Sequence, residues 1–116
     1  MSDLGKQCWM MGIAVRGDMS AEAAERVVNA VISAIGMTKI YESKTWTYDG
    51  DLGLILAQPL YESIVTADFW PRHSTGYLVI TSCKYYEKST AEEAVSACGY
   101  EIIESSMMVL NTLTTS

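Results

Sequence analysis

The sequence predicts a two-layer α/β (α+β) sandwich: a mostly antiparallel sheet with two helices on one face, in the order β-α-β-β-β-β-α-β. Three observations carry that expectation. Helical spacing or helix-start chemistry occurs at two places, near residues 20–35 and 89–97. The stretches between and around them are rich in β-branched and aromatic residues. Most connections among those stretches are of hairpin length, which favours an antiparallel sheet with its helices gathered on one side.

Each element has its own signals. Residues 6–16, KQCWMMGIAVR, suit a strand that GDMS then punctuates. From Ser20 to Ile35, Ala24, Val27, Val28, Val31, Ile32 and Ile35 recur at helical spacing. Ser20 is a good N-cap and Gly36 a good stop. Residues 37–48, MTKIYESKTWTY, alternate roughly and read as a strand, and DGD supplies a turn. Residues 52–58 form the next strand, and Pro59 breaks or bends the chain beyond it. Residues 60–70 and 76–83 are two more strands. Ser89-Thr90-Ala91-Glu92 is a capping-box pattern that opens a short helix through Ala97, ended by Gly99. YEIIESSMMVL closes the sheet, and NTLTTS reads as a frayed tail.

Composition narrows the function classes. At 116 residues the chain is expected to form a single domain over residues 1–116. Its formal charge of −6, with only eight Lys and Arg, argues against nucleic acid. Its longest strongly apolar runs are about ten residues, too short to span a bilayer. The N-terminus lacks a basic region and a small-residue cleavage site, so no signal peptide is expected. The three cysteines, Cys8, Cys83 and Cys98, are odd in number and form no CxxC. With one histidine, no zinc or other metal signature exists. Free thiols point to a reducing cytoplasm, where a buried cysteine most often serves as a small apolar filler.

The chemistry concentrates in LYESIVTADFWP, residues 60–71. A plain core strand would not carry Glu62, Ser63 and Asp68. Either this is a solvent-facing edge, where charges discourage aggregation, or the chain acts on itself there. Glu62-Ser63, Asp68, Trp70-Pro71, Gly76-Tyr77 and Cys83 together resemble the small prokaryotic S-adenosylmethionine decarboxylases. That family places Glu-Ser-His before Thr-Ile-His-Thr-Tyr/Trp-Pro-Glu and ends the next strand on a cysteine. LGKQ near the start also resembles the family's opening Leu-Gly-Arg/Lys-His.

The resemblance implies a pyruvoyl-dependent amino-acid decarboxylase that feeds polyamine synthesis, most simply a homodimer with sites near the subunit interface. Cleavage would fall between Glu62 and Ser63, and Ser63 would become the pyruvoyl cofactor. Cys83 would donate the proton to the substrate carbon. Asp68 stands where the family's processing histidine stands. Trp70 and Phe69 would offer aromatic faces to a sulfonium or an adenine. Arg72 replaces a substrate-binding glutamate, Ile64 replaces a histidine, and Lys84 follows Cys83 in place of the usual glycine. These departures leave room for a smaller, basic amino-acid substrate, or for a non-catalytic, unprocessed relative that binds a ligand or partner.

Asp68 is also a poor stand-in for imidazole, with an ordinary pKa of about 3.9 against about 6.5. A straight strand would set Ser63 and Asp68 on opposite faces, so they converge only if the chain turns between them. His73, the sole histidine, is expected in a solvated loop, and is the other candidate base.

Overall fold

A computed structural model describes residues 7–50 and 52–112. Its elements follow the expected order: β1 (Gln7–Arg16), α1 (Ala21–Ala34), β2 (Lys44–Tyr48), β3 (Gly53–Pro59), β4 (Ser63–Trp70), β5 (Thr75–Ser82), α2 (Lys88–Ala97) and β6 (Glu101–Asn111). A 3₁₀ turn, Pro71–His73, joins β4 to β5. The six strands form one sheet in the order β2-β3-β4-β5-β1-β6, antiparallel at every seam.

Helix α1 forms as its spacing dictates. Ser20 accepts from the Ala23 N–H at 3.1 Å and caps the first turn. Val27, Val28, Val31 and Ile32 point down onto the sheet and are buried. Gly36, at φ 71°, ends the helix in the left-handed region that glycine adopts without strain. α1 packs against α2, β3 and β4. The core lies between the helices and one sheet face, where Met11, Ile13, Leu56, Val65, Leu78 and Ile80 are all closed to solvent.

Two elements differ from expectation. Residues 37–43 are not strand. Tyr41 takes φ 62°, and the buried Gln58 amide donates to the Tyr41 and Pro59 carbonyls at 3.2 and 2.9 Å. Those bonds satisfy the loop, leaving only the isolated bridge Lys39↔Leu60. The capping box at Ser89 is also not used. α2 begins at Lys88 with Glu87 at the cap and no side-chain capping bond. Just upstream, Tyr86 is buried and donates to the Ile80 carbonyl at 2.9 Å, which fixes where the chain can turn into the helix. Of the expected tail, Asn111 is instead the last residue of β6, paired with Gln7, and residues 113–116 lie outside the described residues.

Among the described residues, none forms a layer over the face opposite the helices. Straight across the registers, one row of that face holds Trp46, Ile55, Asp68, Tyr77, Ala14 and Glu104. Neighbouring rows add Thr66, Val79 and Gly12, then Ile64, Thr81, Met10 and Met108. An antiparallel sheet with one free face normally alternates apolar and polar residues. Here the free face is largely apolar as well.

Candidate functional site

Glu62 and Ser63 sit at the turn from β3 into β4. Three hydrogen bonds hold the turn. The Tyr61 N–H donates to the Thr38 carbonyl at 3.0 Å. The Glu62 carboxylate accepts from the Thr38 N–H at 3.1 Å. The Leu60 N–H donates to the Ser63 carbonyl at 2.8 Å. Pro59 ends β3 and so permits the tight return, as its place in the sequence suggests.

The pairing of β4 with β5 sets Ser63 opposite Ser82, so Cys83 lies beside Glu62. The Cys83 N–H donates to the Glu62 carbonyl at 2.9 Å. That carbonyl belongs to the Glu62-Ser63 peptide bond. The Ser63 hydroxyl lies 2.6 Å from the Thr81 hydroxyl, which in turn donates to the Ile64 carbonyl at 3.3 Å. Either hydroxyl can donate in the Ser63–Thr81 contact, and the contact fixes where the Ser63 oxygen lies. Ser63 is exposed and Cys83 half-buried. A polarised carbonyl, an oriented hydroxyl and a thiol thus gather at one end of the β4–β5 pair. Thr81 is the member that sequence reasoning missed. A lone strand threonine gives no signal until its partner strand and register are known.

The remaining candidates stand elsewhere. β4 runs without a bulge from Ser63 to Trp70, so Asp68 is five extended steps from Ser63, about 17 Å. Within one chain Asp68 does not reach Ser63. His73 and Arg72 lie beyond the far end of β4, both exposed, and are further away still. Phe69 is a correction: it is 1% exposed and faces the helices, its ring centroid 6.0 Å from that of Tyr100. It offers no face to a ligand. Trp70 points the opposite way, and its ring centroid is 5.6 Å from that of Tyr77.

Asp68 forms a second grouping with Trp70, Tyr77 and Tyr48 on the open face. Burial raises the Asp68 pKa above the ordinary carboxylate value, and the Tyr77 hydroxyl, donating to it, offsets part of that rise. Burial likewise holds Tyr77 protonated, helped by the negative charge of Asp68. Between the unfolded carboxyl value, near 4, and its raised folded value, the native state keeps the proton longer. Stability therefore falls as pH rises through that window, and the charged Asp68 is a net cost above it. Asp68→Asn is expected to be the more stable protein at pH 7. In urea titrations its advantage should vanish below about pH 3, where both states hold the proton. An equal advantage at every pH would place the effect in packing.

Among the described residues no group of three or more His, Cys, Asp or Glu could hold a metal ion, and no helix is long and apolar enough to cross a membrane. No family model matches the sequence, and no curated protein matches it. The fold does have a match among solved structures. It superposes on an adenosylmethionine decarboxylase from Aquifex aeolicus VF5 with a TM-score of 0.66, covering 95% of this chain and 92% of that one. The likeness is one of fold. At 15% identity the two chains share an architecture, and the chemistry must be argued from the residues themselves.

Proposed function

We propose that the chain is a pyruvoyl-dependent decarboxylase of S-adenosylmethionine or a related basic amino acid, and that it cuts itself between Glu62 and Ser63. The supporting observation is the Cys83 N–H on the Glu62 carbonyl. Attack by the Ser63 oxygen on that carbonyl carbon develops negative charge on the carbonyl oxygen, where a fixed donor already points. The Ser63 nitrogen then leaves as the new ester forms. A base takes the Ser63 α-proton and the Glu62 carboxylate leaves; water then adds to the remaining dehydroalanine, which releases ammonia and leaves a pyruvoyl group at the new N-terminus. The turn residues fit that sequence: the hydroxyl is held by Thr81 and the carbonyl by Cys83. Once formed, the pyruvoyl carbonyl supplies the electron sink for decarboxylation. In this reading Cys83 returns a proton to the substrate carbon.

A homodimer belongs to the same proposal. The open face exposes Trp46, Tyr77 and Met108 by 51, 37 and 53%. The depression beside Tyr77, floored by Gly12 and Ala14, is only about 260 Å³, below the usual range for an enclosed small-molecule site. A second copy laid on this face would cover the apolar rows and deepen the site. With the two-fold axis running across the strands, the Ser63 end of one copy lies over the Asp68–Trp70 end of the other.

An intact-mass measurement on the purified, denatured protein tests the reading directly: two pieces meeting at Glu62-Ser63 are expected. Full-length mass after long incubation would leave the second reading, an unprocessed relative of the same fold. The distance of Asp68 and His73 from Ser63 favours that alternative. Cys83→Ser separates the two roles of Cys83. Serine keeps the backbone N–H, so cleavage should proceed. It replaces a thiol of pKa about 8.5 with a far weaker acid, so turnover should fall about a hundredfold. Normal turnover in Cys83→Ser returns this side chain to packing alone.

A further inference from the structure

β1 and β5 pair antiparallel from Arg16↔Thr75 to Trp9↔Ser82. The ladder ends there, and the next residues outward on the two chains are Cys8 and Cys83. Cys8 is held in line by its other neighbour, since it pairs with Leu110 of β6. Cys83 is held by its N–H on the Glu62 carbonyl, at 2.9 Å. That bond decides the geometry between the two cysteines. In an antiparallel ladder a residue turns its N–H and C=O toward one neighbour, and hydrogen-bonded and non-hydrogen-bonded pairs alternate. Cys83 turns toward β4, so against β1 it occupies a non-hydrogen-bonded position. Cα atoms at such positions stand about 4.5 Å apart, with both side chains on one face at their closest approach. A disulfide bridges Cα separations of about 4.4–6.8 Å. Both cysteines are half-buried free thiols, accessible to a small reagent.

We propose that Cys8 and Cys83 are a reversible redox pair whose oxidant is a low-molecular-weight disulfide. One protein thiolate attacks the external disulfide, which forms a mixed disulfide and releases one small thiolate. The second cysteine, deprotonated, attacks the protein sulfur of the mixed disulfide. The Cys8–Cys83 bond forms and the second small thiolate leaves. Two protein thiols are oxidised, the external disulfide is reduced to two thiols, and the two protons pass to the released thiolates. A part-exposed bond at a strand end belongs to the readily reduced class, so dithiols reopen it. Its effect on catalysis rests on the proposed role of Cys83. Oxidation removes the donor thiol and stops turnover, while the backbone N–H on Glu62 remains.

The test incubates the full chain with oxidised glutathione and reads intact mass, free thiols and a non-reduced peptide map. An uncut chain should become about 2 Da lighter, and a chain divided at Glu62-Ser63 should become one species about 2 Da below the sum of its two pieces, with one titratable thiol, Cys98, left of three. Its map joins the Cys8 and Cys83 peptides, and dithiothreitol restores the starting state. Cys98→Ser should close in the same way. Cys8→Ser should yield neither a lighter chain nor a joined pair of pieces. A native chain that collects only glutathione adducts, or a Cys8→Ser chain that still closes, overturns the proposal. The readout does not depend on activity. A Cys8–Cys83 bond that forms while decarboxylation continues sinks the proton-donor role of Cys83 and leaves the redox pair standing.

Discussion

A Ser63→Ala chain is expected to stay whole under conditions in which the native chain divides. The acyl shift needs an oxygen on the residue that follows the scissile carbonyl, and alanine has none. Everything else in the turn survives the change. The Thr38 bonds to Tyr61 and Glu62 remain, as does the Cys83 N–H on the Glu62 carbonyl. The variant should therefore melt like the uncut protein and differ only in a mass spectrum of the denatured sample. Thr81→Val makes a graded companion. It keeps the shape of the strand residue but loses the 2.6 Å contact that holds the serine hydroxyl. Cleavage should slow on the order of tenfold, the scale of a lost orienting contact. Cleavage of Ser63→Ala at the same bond would put the nucleophile outside Ser63 and end the pyruvoyl reading.

Gly76→Ala is expected to cost about 3 kcal/mol of stability, near the upper end of overpacking effects. Gly76 sits within β5 between Phe69 of β4 and Val15 of β1, on the helix side. A Cβ there would stand 2.5 Å from the Asp68 carbonyl oxygen, 2.7 Å from Phe69 Cδ1 and 2.9 Å from Phe69 Cα. Two of those atoms are backbone and cannot swing away, so the β4–β5 seam itself must open. Urea unfolding should show a lower midpoint with the slope unchanged. Phe69→Leu removes the ring atom but not the backbone clashes. The double variant should lose less than the sum of the two single losses. Full additivity would mean that the ring plays no part.

The order of the six strands and two helices was legible in the sequence because local chemistry and fold agree there. Val27, Val28, Val31 and Ile32 face the core at helical spacing, and Ser20 caps the helix as its side chain predisposes it to. Where reading failed, a distant residue intervened. Gln58 ties down the loop at Tyr41, and no window around residues 37–43 contains that information. Phe69 is different, because period-two alternation already implied that it and Trp70 point apart. Only one of the pair could meet a ligand, and the buried one is Phe69. The separation of Ser63 from Asp68 comes from the length of five extended residues, once no bulge interrupts β4. The closeness of Ser63, Thr81 and Cys83 was not readable, because it depends on a register set by strand pairing.

The strand order β2-β3-β4-β5-β1-β6 also decides what a cut at Glu62-Ser63 can do to the molecule. The piece before the cut owns β1, α1, β2 and β3, and the piece after it owns β4, β5, α2 and β6. They share three seams, and β1 is gripped on both sides by strands of the other piece. Neither fragment can peel off without breaking the sheet at its centre, so the nicked protein holds together as one cooperative body. Recovery from denaturant is another matter. An intact chain finds its own β1, whereas two separated pieces must first meet, so their refolding becomes second order and fails on dilution. Chain scission at this turn would therefore act as a one-way step, converting a domain that refolds by itself into one that persists only while it stays folded.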